Sequence, residues 1–149
     1  MDNSFLLLFK NKVFISAFLG WLVAQAFKII INGIREKRFD FKWFIGTGGM
    51  PSSHAAFVMS LATAVGLQEG FSSTIFIVIL IVALVIAFDA QGVRRATGKQ
   101  AEILNMILDD IYWRRKIQEN RLIELIGHTP FEVIVGSLIG VIVAIFVMG

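Results

Sequence analysis

Thr74-Ile75-Phe76-Ile77-Val78-Ile79-Leu80-Ile81-Val82-Ala83-Leu84-Val85-Ile86-Ala87-Phe88 carries no charge and stops at Asp89. Hydrocarbon holds no water to satisfy backbone N–H and C=O groups, so an uninterrupted apolar run of this kind forms a helix. Three further runs accompany it: Val13 to Ile34, Pro51 to Leu67 and Phe131 to Met148. A bilayer core takes roughly 20 helical residues. The first and last runs reach that length, and the middle two need their Gly/Ser-rich or polar flanks to reach it. The expected fold is all-α, a multi-pass transmembrane helical bundle of about four spans, with residues 1–149 as a single domain.

Composition points the same way. The chain is 56% hydrophobic and 17% charged, well off the soluble average, and the charges gather in a few loops. The absence of cysteine excludes disulfides and thiolate metal sites. No clustered ligands suggest a metal, and no cofactor is expected. The basic residues lie beside apolar runs, as membrane topology alone demands, so nucleic acid is not an expected partner. Arg35, Lys37, Arg38 and Lys42 separate runs one and two. Arg94, Arg95, Lys99, Arg114, Arg115, Lys116 and Arg121 separate runs three and four. The positive-inside rule then puts both loops in the cytoplasm and both termini outside, in what is expected to be the cell membrane. Lys10 and Lys12, Val13 to Val23 and Ala24-Gln25-Ala26 imitate a cleavable signal peptide. Cleavage there would force the basic loop Arg35 to Lys42 to be exported, so the run is read as a span.

Between Ala101 and Trp113, Ile103, Leu104, Ile107, Leu108 and Ile111 recur at helical spacing, with Glu102, Asn105, Asp109 and Asp110 mainly opposite. This is a cytoplasmic amphipathic helix. It lies on the membrane surface, covers the site, or packs as an ordinary cytosolic helix. Arg114-Arg115-Lys116 behind it suits anionic headgroups.

The chain has two histidines, both at boundaries on the same predicted side. Gly48-Gly49-Met50-Pro51-Ser52-Ser53-His54 reads as a glycine-rich turn entering a helix, with Pro51 at the first helical position. Such a turn brings N–H groups and the helix dipole to an anion, or serves as a plain capped start. His128 and Glu132 are spaced to share a helical face, so the carboxylate can orient the imidazole. Thr129-Pro130-Phe131-Glu132 also fits a capping box, which would turn Glu132 back on the helix. Lys28 lies inside a span, where an ionisable group is a functional candidate or a snorkelling one, and Arg35 follows two turns later. Asp89, with Arg94 and Arg95 behind it, reads as a buried ion pair or a phosphate clamp. Gly136, Gly140 and Ala144 form a small-residue face, used either for a homodimer or for packing within the monomer.

Together these residues resemble the phosphatidic acid phosphatase type 2 superfamily, which includes the vanadium haloperoxidases. Its first motif, Lys and Arg separated by six residues, matches Lys28 and Arg35. Its Pro-Ser-Gly-His matches Pro51-Ser52-Ser53-His54, with Ser53 in place of Gly. The end of its third motif matches His128 and Glu132, with Glu in place of Asp, and Leu122 stands where that motif has Arg. A divergent bacterial and plastid branch is closer over nearly the whole chain. It shares Gly-Gly-Met-Pro-Ser-Ser-His, the pattern of Asp89-Ala90-Gln91-Gly92-Val93-Arg94-Arg95, and that of Gly127 to Val133.

The resemblance implies phosphoryl transfer through phosphohistidine. His128 attacks, Glu132 orients it, and His54 protonates the leaving group. Lys28, Arg35, Ser52, Ser53 and Arg94 or Arg95 hold the phosphate oxygens. The implied substrate is a membrane lipid or isoprenoid phosphate, cleaved by a phosphatase or pyrophosphatase. Two other readings fit the same cradle. One is a non-catalytic phospholipid-binding or transport protein. The other, ranked last, is a vanadate haloperoxidase.

Overall fold

A computed structural model describes residues 7–37, 49–91, 93–112 and 128–149, with the side chains of 93–97 and 109–112 outside that description. The described residues form helices and connections without strands: α1 (Lys12–Glu36), α2 (Ser53–Glu69), α3 (Thr74–Gln91), α4 (Val93–Tyr112) and α5 (Pro130–Met148). Among them α1, α3 and α5 are long and apolar enough to cross a membrane.

Residue size explains the packing. The large apolar side chains point outward: Trp21 and Phe27 on α1, Ile81 and Phe88 on α3, Ile142 and Phe146 on α5. Most of the buried positions are small, among them Ala24, Ala56, Ser60, Ala64 and Ala144. Lipid tails are as apolar as leucine, so helices in a bilayer associate through close van der Waals contact and buried hydrogen bonds rather than by hiding apolar surface. The pattern is that of an integral membrane bundle.

Helix α2 is the hub and packs on α1, α3 and α5. Its close fit to α1 depends on Gly20, where a Cβ would come 2.7 Å from Ser60 Cβ. Ser60 Oγ donates to the Ser16 carbonyl at 2.8 Å and lies 3.0 Å from Ser16 Oγ. Ser60→Ala is expected to cost about 1 kcal/mol, the usual worth of an interhelical hydrogen bond in a membrane, read as a lower unfolding midpoint in detergent. Against α5, α2 packs along Gly136 and Gly140, where a Cβ would come 2.2 Å from the Ser52 carbonyl and 2.3 Å from that of Ala56. The small-residue face of α5 is therefore occupied inside the monomer.

Two expectations need correcting. Pro51 is not the first helical residue. Ser52 is the N-cap, with extended backbone and its hydroxyl accepting from Ala55 N–H. Its own N–H is committed to the Glu132 carbonyl at 3.0 Å, and the helix begins two residues later than expected, at Ser53. The second correction concerns α4, which starts at Val93 rather than near Ala101. Asn105 was expected on the polar outer face, but it is buried with Gly98 and Ala101, while Ile103, Leu104, Met106 and Ile107 are exposed. A stripe of small and polar residues packs inward and the bulky apolar ones face out, as on the spanning helices. Ile111, Asp109 and Asp110 have side chains outside the described residues.

Candidate functional site

Four segments meet at one end of the bundle. Helices α1 and α3 end there, and α2 and α5 begin there. Backbone bonds join three of them: Ser52 N–H to the Glu132 carbonyl, and His128 N–H to the Ala90 carbonyl, each at 3.0 Å. The N-terminus of α2 is thus tied to α5, and the approach to α5 is tied to the end of α3.

His128 is 3% exposed. Its Nδ1 lies 3.2 Å from Glu132 Oε2. That same carboxylate oxygen accepts the Thr129 N–H at 2.9 Å, while Thr129 Oγ1 accepts the Glu132 N–H at 3.3 Å. The sequence left two uses of Glu132 in competition, and both exist together. Thr129 is the N-cap with extended backbone (φ −72°, ψ 155°), and Pro130 opens the helix. The cap folds the Glu132 carboxylate back over the preceding residue, which is His128. Capping therefore positions the carboxylate against the imidazole. Thr129→Ala is expected to cost about 1 kcal/mol of stability and to loosen that orientation, seen as a shift of the His128 ring resonances in NMR.

Lys28 is 3% exposed despite its length and charge. Its Nζ makes a long hydrogen bond to Ser53 Oγ, 3.5 Å away, and the Glu132 carboxylate attracts it electrostatically. Lys28 turns inward toward the site rather than snorkelling along the surface. Ser53 is buried beside it, and the Ser52 hydroxyl is engaged as the α2 cap. Gly49, at φ +82°, adopts the left-handed backbone that glycine permits. It approaches α1 near Asn32.

The other candidates divide. His54 lies in the first turn of α2, at the same end as His128, but is exposed. Arg35 is exposed in the last turn of α1, so Lys28 and Arg35 do not share one buried face. Asp89 is exposed near the end of α3. Arg94 and Arg95 lie in the first turn of α4, with side chains outside the described residues. Gly48, Gly127 and Leu122 also lie outside them. Motif reading missed the two backbone bridges and the seat of Gly136 on Ser52. The four-residue spacing of Gly136, Gly140 and Ala144 was the available signal.

A model of the divergent PAP2 family matches residues 9–143. The chain belongs to that family. It is also 36% identical over 149 residues to the "uncharacterized membrane protein YuiD" of Bacillus subtilis (strain 168), covering 93% of this chain and 94% of the relative. No solved structure matches it. Lys28, Ser53, His128 and Glu132, gathered at one end of the bundle, come from three separate helices and their caps.

Proposed function

We propose that the protein is a membrane phosphatase or pyrophosphatase that hydrolyses a lipid or isoprenoid phosphate through a phosphohistidine, at the cytoplasmic face. The observation that carries this reading is the buried His128–Glu132 pair, held by a capping box beside the buried cation Lys28. A carboxylate on Nδ1 fixes the imidazole's orientation and stabilises positive charge on it, leaving Nε2 as the attacking atom. In the first step His128 Nε2 bonds to phosphorus, the P–O bond to the lipid breaks, and His54 protonates the departing oxygen. In the second, water attacks the phosphohistidine, His54 takes its proton, and inorganic phosphate leaves. Lys28, Ser52, Ser53 and Arg35, with Arg94 or Arg95, supply charge and donors to the non-bridging oxygens. Phosphoryl transfer depends mainly on such positioning and charge stabilisation.

The membrane placement belongs to the same proposal. Helix α2 is the fourth span: its 17 residues cover about 25 Å at 1.5 Å per residue, close to the ~30 Å core. The basic loops, one of them including α4, lie in the cytoplasm of a cell-membrane protein with both termini outside. The outward Ile103, Leu104, Met106 and Ile107 favour α4 resting against lipid as an interfacial helix. A homodimer would have to use a face other than Gly136 and Gly140.

The test is phosphate release by the purified full-length protein from phosphatidic acid and polyprenyl phosphates. Glu132→Gln separates the two roles of that residue. Its amide oxygen still caps α5, but the charge facing His128 is gone. Turnover is expected to fall by up to ~10⁴-fold, the scale of uncharging a triad carboxylate, with helix content unchanged. Lipid bound without any release, and bound equally by the His128→Ala variant, would establish the non-catalytic lipid-binding reading instead.

A further inference from the structure

Helices α3 and α5 both pack on α2 but only lightly on each other. Between them lies a cavity of about 320 Å³. Met59 of α2, Leu84 and Phe88 of α3, and Ser137 and Leu138 of α5 line it. Leu84, Phe88 and Leu138 are exposed, so the cavity is a groove open to the lipid-facing surface. Its other end lies at the same end of the bundle as the site, where α3 finishes and α5 begins. Gln91 and Val133 also line it. Val133 follows Glu132 in the chain, and Gln91 follows Ala90, whose carbonyl holds the His128 N–H.

We propose that this groove seats one hydrocarbon chain of the phosphorylated amphiphile, entering sideways from the bilayer between α3 and α5. The proposal rests on the phosphate-site reading above. At ~30 Å³ for a water-sized group, 320 Å³ corresponds to about ten such groups, comparable with the near part of a single chain. Moving a chain from bilayer to groove exchanges one apolar environment for another, so little hydrophobic affinity results. The groove acts by position. A chain lying along it brings its head group to the His128 end, and orientation of this kind appears in turnover.

Turnover of dodecyl phosphate and butyl phosphate by the full-length protein gives a long-to-short ratio. Leu84→Trp and Ser137→Phe, which fill the groove from opposite walls, are expected to lower that ratio about tenfold, a modest overpacking effect. Val82→Trp, on an exposed face of α3 that does not line the groove, is expected to leave it unchanged. An unaltered ratio in both filled variants overturns the proposal. Photolabelling with a dodecyl phosphonate carrying a terminal diazirine decides the matter without hydrolysis. Adducts on α3 and α5 beside the groove, competed by plain dodecyl phosphonate and lost in Leu84→Trp, support it. Adducts spread evenly, or concentrated around Trp21 on α1, sink it. A protein labelled in the groove that releases no phosphate from any lipid keeps the groove and loses the hydrolytic reading.

Discussion

His128→Ala is expected to abolish phosphate release, by at least ~10³-fold in kcat, the scale seen when a covalent nucleophile is removed. The substitution is chosen so that little else changes. The His128 N–H that bonds the Ala90 carbonyl is backbone and survives. The Glu132 carboxylate keeps its bond from the Thr129 N–H. Lys28 keeps Ser53. Helix content and unfolding midpoint should therefore stay near those of the parent while turnover disappears. A trapped phosphoenzyme gives a second readout. Labelled lipid phosphate should leave acid-labile label on the parent protein and none on the variant. His54→Ala should behave differently: the label should still form, and accumulate, on substrates whose leaving group needs no proton. Full turnover in His128→Ala would end the phosphohistidine mechanism, whatever the fate of the lipid-binding reading.

Much of this architecture is legible in the sequence because hydrocarbon enforces it. Thr74 to Phe88 has only one way to satisfy its backbone in a bilayer, and it is a helix extending to Gln91. The same holds for α1 and α5, whose observed ends lie within two residues of the expected ones. Helix α2 was harder to read. It is the least oily of the four, because its neighbours rather than lipid surround it, and its small residues serve close packing. The polar cluster was legible as a list but not as a geometry. Spacing placed His128 and Glu132 within reach, yet could not say that one carboxylate oxygen serves both cap and imidazole, because that depends on the extended backbone at Thr129. Equal spacing misled for Lys28 and Arg35. Two helical turns keep a common direction, but the partner helix covers only the inner of the two residues. Asn105 misled in the same way. Amphipathic reading assumes that polar residues face water, whereas in a helix beside lipid a polar residue can face the protein.

The largest structural effect is expected at Gly136. A single added methyl there would sit 2.2 Å from the Ser52 carbonyl oxygen, with the Ser52 carbonyl carbon and amide nitrogen each at 3.1 Å. All three are backbone atoms of the α2 cap, and none can rotate away. Gly136→Ala must push α5 from α2 by an ångström or more. That displacement also stretches the Ser52 N–H bond to Glu132, one helical turn earlier. The expected cost is about 3 kcal/mol, the upper range of overpacking penalties, and Gly140→Ala should be similar, since its Cβ would meet the Ala56 carbonyl at 2.3 Å. Ile142→Ala, on the lipid-facing side of the same helix, supplies the control and should shift the unfolding midpoint little. The damage should reach the site as well, because Glu132 rides on the displaced turn. Any folded Gly136→Ala protein should therefore lose turnover through poor His128 orientation, and Ile142→Ala should not. Parent-like stability in both glycine variants would mean that α2 and α5 do not touch through Gly136 and Gly140. The same result would also free that face for a second copy of the chain.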